Sequence, residues 1–427
     1  MSEVRDVESA VTLKGEVRVP GDKSTSHRAL LLSALASGES VIEGLSPGED
    51  VRATATIVAA LGAELEMTGE RTHVRGPDAG LRATNVPLDC TNSGTSMRLL
   101  AGVTSTVAGT HALVGDASLS TRPMDRVAIP LRTMGATIEG EGPRITAPLR
   151  ITGRDQLRAI SFHVPVASAQ VKSALLFAGL RANGEVTIRE DVRTRRTTED
   201  MFRIAGLTLE SEDLDHGRTV TLQPGRPKAV SWRIPGDPSQ AAFFCVLGAI
   251  HRDARLEIID IDATPERTGF VGVLQRMGAS VSVSSSNDHL SLVAESSTLD
   301  ATEIHAHEIP SVDEVPVLAV AAAAARGVSA FRDMGELRVK ESDRLSGSLD
   351  LVQRLGCRAW SDGDDFFIEG LGSAQHFSHF EIDGGLDHRM VMSSAVAGAA
   401  GKGCVIRGAG TVASSYPGFF DDLARLQ

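Results

Sequence analysis

The chain is poor in the residues that several large functional classes depend on. Four cysteines among 427 residues (Cys90, Cys245, Cys357 and Cys404) stand far apart with no Cys-x-x-Cys pair, so neither a zinc site nor a disulfide framework is indicated. One tyrosine and two tryptophans leave little aromatic surface on which nucleic-acid bases could stack. A formal charge of −12 argues against nucleic acid or an anionic membrane as a partner. The longest apolar run, Val317–Ala325, is far short of the roughly 20 residues of a membrane helix. Residues Met1-Ser2-Glu3-Val4-Arg5-Asp6 offer neither the basic start nor the apolar stretch of a signal peptide. The sequence contains no GxxxxGK[ST] loop and no strand-linked GxGxxG, so P-loop and Rossmann nucleotide binding lack support. His305-Ala306-His307 is the one near approach to metal-ligand spacing, and it reads as a strand edge. A reducing cytoplasm is the expected location, with no metal and no cofactor.

What the chain does have is repetition. Gly62, Gly135, Gly206, Gly278 and Gly356 each close an amphipathic helical run, at spacings of 73, 71, 72 and 78 residues. The runs are Asp50–Leu61, Met124–Met134, Thr197–Ala205, Pro265–Met277 and Ser342–Leu355, and a sixth, Pro417–Leu426, ends the chain. Periodicity on this scale predicts six structural repeats. Val11–Val19 alternates like a half-buried strand and is the expected donor of the strand missing after Leu426. Arg18-Val19-Pro20-Gly21-Asp22-Lys23-Ser24 matches Arg233-Ile234-Pro235-Gly236-Asp237-Pro238-Ser239 at an offset of 215. Two such copies fit two crossings between three-repeat domains, near 18–24 and 233–239. The expected domains are 20–234, and 1–19 with 235–427.

Each repeat also carries a second helix that is apolar nearly all round and therefore expected to be buried: Ala29–Ala36, Met97–Val107, Val171–Leu180, Ala241–Ile250, Val315–Ala325 and Met390–Ala400. Their starts are polar: Lys23-Ser24-Thr25-Ser26-His27-Arg28, Asn92-Ser93-Gly94-Thr95-Ser96, Ser168-Ala169-Gln170, Ser239-Gln240, Asp313-Glu314 and Asp387-His388-Arg389. Capping explains serine, threonine, asparagine and aspartate there, and suffices for Ser239-Gln240. It does not explain Arg28, Arg98, Lys172 and Arg389, because the helix dipole opposes a cation in a first turn by about 0.3–1 kcal/mol. An anion held between helix starts and cations does explain them. The amphipathic helices add Arg122 before Pro123, Arg195-Arg196 before Thr197, Glu266-Arg267 after Pro265, and the run Arg338-Val339-Lys340-Glu341-Ser342-Asp343-Arg344.

An acidic chain with cations gathered at helix starts suits a small polyanion. Lys23, Arg28, Arg122, Lys340, Arg344 and Arg389 exceed what a single phosphate can use, so two or more anionic groups are implied. Two carboxylates, Asp313 and Glu341, stand among the cations. A carboxylate beside cations suits a base, and one desolvated in a closed site can hold a proton and act as an acid. The residues thus point to cofactor-free acid–base chemistry on anionic ligands.

At these residues the sequence resembles the 5-enolpyruvylshikimate-3-phosphate synthase family. The motifs that carry the resemblance are Pro20-Gly21-Asp22-Lys23-Ser24-x-Ser26-His27-Arg28, Asn92-Ser93-Gly94-Thr95-Ser96-Met97-Arg98, Arg122-Pro123-Met124, Ser168-Ala169-Gln170-Val171-Lys172, Arg338–Arg344 and Asp387-His388-Arg389-Met390. They follow the family's order along the whole chain. The resemblance implies an α/β fold, a two-domain inside-out α/β barrel of six βαβαββ units that closes on substrate. It implies addition–elimination between shikimate 3-phosphate and phosphoenolpyruvate, on the route to chorismate and the aromatic amino acids. By position, Lys23, Ser24, Arg28, Ser168, Ala169, Gln170, Arg195, Asp313 and Lys340 would hold shikimate 3-phosphate. Lys23, Gly94, Arg122, Gln170, Arg344 and Arg389 would hold phosphoenolpyruvate. Asp313 would be the base for the hydroxyl and Glu341 the acid at C3, with Lys23 completing the catalytic set. The chain is expected to act as a monomer on these two small molecules. Members with alanine at the position of Gly94 tend to tolerate glyphosate, so a sensitive enzyme is implied here.

The chain departs from the family in places. Arg195-Arg196-Thr197-Thr198-Glu199 stands where members often read Arg-Asp-His-Thr-Glu. Ser414 and Glu336 replace a lysine and an asparagine found in some members, so those contacts are not carried over. The sister UDP-N-acetylglucosamine enolpyruvyl transferases typically carry a reactive cysteine before the arginine–proline pair, and Gly115–Thr121 holds none. A non-catalytic anion-binding relative is the rival of another class, and retention of Lys23, Asp313, Glu341 and Arg344 together speaks against it.

Overall fold

A computed structural model describes residues 3–286 and 289–427. Of the N-terminal residues read above for a leader, Met1 and Ser2 lie outside the described residues. The chain divides into two compact units, a discontinuous one of Met1–Asp22 with Pro235–Gln427 and a continuous one of Lys23–Ile234. Each has its own apolar core.

The described residues form twelve α-helices of two alternating kinds. In the continuous unit, α1 (Lys23–Leu35), α3 (Gly94–Thr104) and α5 (Ala169–Gly179) are the buried helices. The amphipathic ones are α2 (Glu49–Ala60), α4 (Asp125–Thr133) and α6 (Thr197–Ile204). In the discontinuous unit the buried set is α7 (Pro238–Ile250), α9 (Val315–Ala324) and α11 (His388–Ala400), alternating with α8 (Gly269–Arg276), α10 (Arg344–Leu355) and α12 (Phe419–Arg425). Every position of α9 is buried. Small residues let the buried helices approach closely: a Cβ at Gly102 of α3 would lie 2.1 Å from the carbonyl oxygen of Ala174 in α5. The five periodic glycines all take positive φ, from 75° to 107°, a left-handed conformation that glycine alone enters without penalty and that ends each helix.

Outside the buried helices lie the sheets, built on one plan. In the first, Ser231–Arg233 pairs parallel with Glu39–Glu43, which pairs antiparallel with Arg71–Arg75, itself antiparallel to Glu64–Thr68. The same order recurs around Gly109–Val114, Val186–Glu190, Ala254–Asp262 and Arg326–Arg332. Helices inside and sheets outside give the expected α/β repeat fold; α3, α5, α9 and α11 each link the two strands of a parallel pair, whereas α1 and α7 each join strands of different sheets.

The closing strand differs from expectation. Leu13–Val17 does lie beside the C-terminus, where the Lys14 N–H donates to the Leu426 carbonyl at 3.0 Å. It joins the fourth sheet, however, parallel to Ala254–Asp262. The sixth sheet is completed by Val4–Val7, antiparallel to Cys404–Arg407, and has three strands. Alternation identifies a half-buried strand but carries no information about its partner, which backbone pairing over some 400 residues decides. A second difference concerns the run Pro265–Met277. It splits into a 3-10 turn, Pro265–Arg267, and α8, because Arg267 turns inward to Asp22 and Asp237.

The two Pro-Gly-Asp copies lie side by side. The Asp22 N–H donates to the Pro235 carbonyl at 2.7 Å, and the Asp237 N–H donates to the Pro20 carbonyl at 2.9 Å. Gly21 and Gly236 form an antiparallel bridge between them.

Candidate active site

In the continuous unit, helix starts bring polar groups together. Lys23, first residue of α1, pairs with Asp50 in the first turn of α2 at 3.0 Å, and both are largely buried. Arg28 follows one turn later. Its Nε donates to Thr198 Oγ1 at 2.6 Å, one Nη to the Ser24 carbonyl at 2.8 Å and the other to Ser173 Oγ at 2.7 Å. Arg195 donates to Ser24 Oγ at 3.3 Å. Ser93 caps α3 by accepting the Ser96 N–H, and Ser168 caps α5 by accepting that of Val171. Ala169 and Gln170 open α5. Gln170 accepts from Arg98 at 2.7 Å and donates to Thr95 Oγ1 at 2.9 Å. Arg122, 5% exposed, donates to Asn92 Oδ1 at 3.0 Å. A Cβ on Gly94 would lie 2.9 Å from an Nη of both Arg122 and Arg98, so these guanidinium groups stand over the bare backbone that starts α3. Lys23, Arg28, Arg98, Arg122 and Arg195 thus gather near the helix starts of this unit, with the Asp50 carboxylate beside Lys23.

The discontinuous unit carries a cluster centred on Arg344, the first residue of α10, with no exposed surface. Its Nε and one Nη grip Asp387 as a fork, at 2.8 and 3.1 Å, the bidentate geometry that guanidinium makes with carboxylate. The same side chain reaches Asp313 Oδ1 at 2.9 Å and Glu341 Oε2 at 2.5 Å. Burial opposes its charge, but Asp387, Glu341 and Asp313 outweigh that and raise its pKa. Asp313 also meets Lys340 at 3.5 Å and Arg389 at 3.6 Å. Asp387 caps α11 through the Arg389 N–H and accepts from Ser342 Oγ. Three cations and three carboxylates balance. The residue before Asp313, Val312, has φ of 50°, which is strained for a β-branched side chain.

Three sequence expectations are corrected here. Lys172 does not await an anion: it is fully buried and pairs with Glu190 at 3.1 Å and Glu199 at 2.6 Å. Its first-turn position is explained by those carboxylates. Arg267 is likewise committed, to Asp22 at 2.8 Å and Asp237 at 2.6 Å. Ser239 is not the cap of α7, because Asp237 accepts the Ser239 N–H, and the Ser239 hydroxyl donates to Glu314 instead. Sequence reading passed over Asp50, Thr198, Ser173 and Glu314 as partners. Asp50, Glu314 and Asp387 had a local signal, their place at helix starts, whereas Thr198 and Ser173 had none as partners. Among the described residues no group of three or more His, Cys, Asp or Glu could hold a metal ion, and no helix is long and apolar enough to cross a membrane. All four cysteines are free and buried.

The fold is that of an enolpyruvyl transferase. The chain superposes on NikO, an enolpyruvyl transferase from Streptomyces tendae, with a TM-score of 0.79 over 100% of this chain and 98% of that one, at an identity of 19% that speaks for fold alone. An EPSP synthase structure from Acinetobacter baumannii is similar at 36% identity and a TM-score of 0.85, covering 100% and 98%. The family model described as EPSP synthase (3-phosphoshikimate 1-carboxyvinyltransferase) matches residues 7–423. Proteins named 3-phosphoshikimate 1-carboxyvinyltransferase are similar over nearly their full length. That from Gloeobacter violaceus is 44% identical with 100% of both chains covered, and that from Streptococcus uberis 38% identical with 98% of both. The chain belongs to the EPSP synthase family.

Proposed function

We propose that this protein transfers the enolpyruvyl group of phosphoenolpyruvate to the 5-hydroxyl of shikimate 3-phosphate and releases phosphate. The observation that carries the reading is the full-length family match, joined to charge clusters at helix starts that need no cofactor to move protons. In the addition, the 5-oxygen bonds to C2 of phosphoenolpyruvate, its proton passes to Asp313, and C3 takes a proton from Glu341. In the elimination, C3 gives up a proton to a carboxylate of the site, its C–H electron pair restores the C2–C3 double bond, and phosphate leaves C2 with the C–O electron pair.

The gathering of Lys23, Arg28, Arg122 and Arg195 at helix starts of the continuous unit supports them as holders of phosphate and carboxylate groups, with Ser24, Ser168, Ala169 and Gln170 beside them. Gly94 supports close approach of a ligand to the backbone. In the discontinuous unit Lys340, Arg344 and Arg389 surround Asp313 and Glu341, which supports proton transfer there. The reading extends to a cytoplasmic monomer acting on these two small molecules.

One assay tests it: phosphate release from phosphoenolpyruvate with shikimate 3-phosphate, or with UDP-N-acetylglucosamine, as acceptor. Release only with shikimate 3-phosphate is expected. Release only with the nucleotide sugar would move the chain to the sister activity, and release with neither would make it a non-catalytic relative.

A further inference from the structure

Glu314 stands at the start of α9 and is 2% exposed. A carboxylate there would ordinarily cap the helix, but this one makes no capping bond. It is engaged on both sides instead. One oxygen accepts from Ser239 Oγ and the other from Ser311 Oγ at 2.8 Å. Ser311 Oγ in turn accepts the Asp313 N–H at 3.4 Å, and the Ser311 carbonyl accepts from Lys340 Nζ at 2.9 Å. The Glu314 side chain therefore reaches back three residues and closes a small ring around Val312, the residue held at φ of 50°. A β-branched residue keeps such a conformation only where its surroundings over-determine it.

The brace continues behind Ser239. Its hydroxyl accepts from Arg267 at 3.2 Å, and Arg267, 5% exposed, is held by Asp22 and Asp237 at the paired Pro-Gly-Asp turns. Burial opposes the Arg267 charge, but Asp22, Asp237, Glu314 and Asp262 together raise its pKa. A continuous buried chain of charge-assisted bonds thus runs from the crossing turns to the turn that carries Asp313.

We propose that Glu314 is a positioning residue: braced by Ser239 and Arg267, it holds the Ser311–Val312 turn in the shape that sets the Asp313 carboxylate against Lys340, Arg344 and Arg389. The proposal rests on the reading of Asp313 as the base. A displacement of about an ångström at a reacting group can cost on the order of 100-fold in rate. Glu314→Ala is accordingly expected to lower kcat by roughly 10- to 100-fold. Glu314→Gln should recover most of that, since serine hydroxyls can turn to donate or accept.

The deciding measurement is a double-mutant cycle on kcat. In an Asp313→Ala enzyme, adding Glu314→Ala should change kcat less than about twofold, because the group it positions is gone. Equal loss in both backgrounds would overturn the proposal and leave Asp313 as the base. So would a Glu314→Ala enzyme with a wild-type kcat. A wild-type rate for Asp313→Ala alone would overturn the base assignment and this proposal with it. Should Glu314→Ala fail to fold by circular dichroism, the same cycle run with Ser239→Ala, which removes one oxygen, decides by the same outcomes.

Discussion

Replacing Gly94 by alanine should separate glyphosate from phosphoenolpyruvate without harming the fold. The new methyl would lie 2.9 Å from an Nη of Arg122 and of Arg98, whereas ordinary contact lies near 3.5–4.0 Å. Each guanidinium must therefore retreat by about half an ångström or more. Both are ends of flexible side chains, so the backbone need not move, and alanine is the better helix former by up to about 1 kcal/mol. The retreat acts on the anion that Arg122 is proposed to grip. A hydrogen bond to a charged group contributes about 1.5–3 kcal/mol, and loosening one by half costs about 1 kcal/mol, roughly fivefold in affinity. The KM for phosphoenolpyruvate should rise by about that factor. On the proposed placement glyphosate, the longer molecule, would meet the methyl directly, so its inhibition constant should rise at least tenfold more. The control is Gly102→Ala on the same helix, where the methyl would meet the backbone carbonyl of Ala174 at 2.1 Å. That variant should lose stability by about 1–3 kcal/mol or more. The assay is an inhibition series at fixed shikimate 3-phosphate with a thermal melt of each variant. Equal weakening of substrate and inhibitor, or a melting loss in Gly94→Ala as large as in Gly102→Ala, would refute the reasoning.

Lys172→Met should leave Glu190 and Glu199 buried without their cation, at a cost of about 3–5 kcal/mol, or roughly 6–20 °C in melting temperature. A raised KM with an unchanged melt would instead return Lys172 to anion binding. Asp343 caps α10 through the Ser346 N–H; burial pushes its pKa up, but its bonds to Ser346 and the charge of Arg338 prevail and hold it below its ordinary 3.8. The cap therefore acts in full above about pH 4 and is lost as pH falls through the depressed value. Asp343→Ala should cost about 1 kcal/mol near pH 7, and urea melts at pH 7 and pH 3 should show the difference shrinking in acid. Burial pushes Cys357 and Cys404 up to about 12 and raises Cys90 and Cys245 further. Iodoacetamide at pH 8 should leave the native thiols unmodified and label all four in denaturant, and rapid native labelling of any one would contradict its burial.

The repeat fold was legible in the chain because its signals are local. A left-handed turn favours glycine within two residues of the end of these five amphipathic helices, so Gly62, Gly135, Gly206, Gly278 and Gly356 mark the period directly. The buried helices showed themselves by apolar residues on every face, and the family by motifs in fixed order. What the sequence left open concerns partners distant along the chain. Lys172 and Arg28 look alike at their helix starts. Yet Lys172 pairs with the buried carboxylates Glu190 and Glu199, and Arg28 donates to Thr198, Ser24 and Ser173. Ser239 resembled a cap until Asp237 took that role, and Val4–Val7, which carries no marked alternation, completed the sheet assigned to its neighbour. Caps and left-handed turns are set by a residue and its next few neighbours. Ion pairs and strand partners are set by whichever groups the finished core brings within a few ångströms, and that distance exists only in the folded chain.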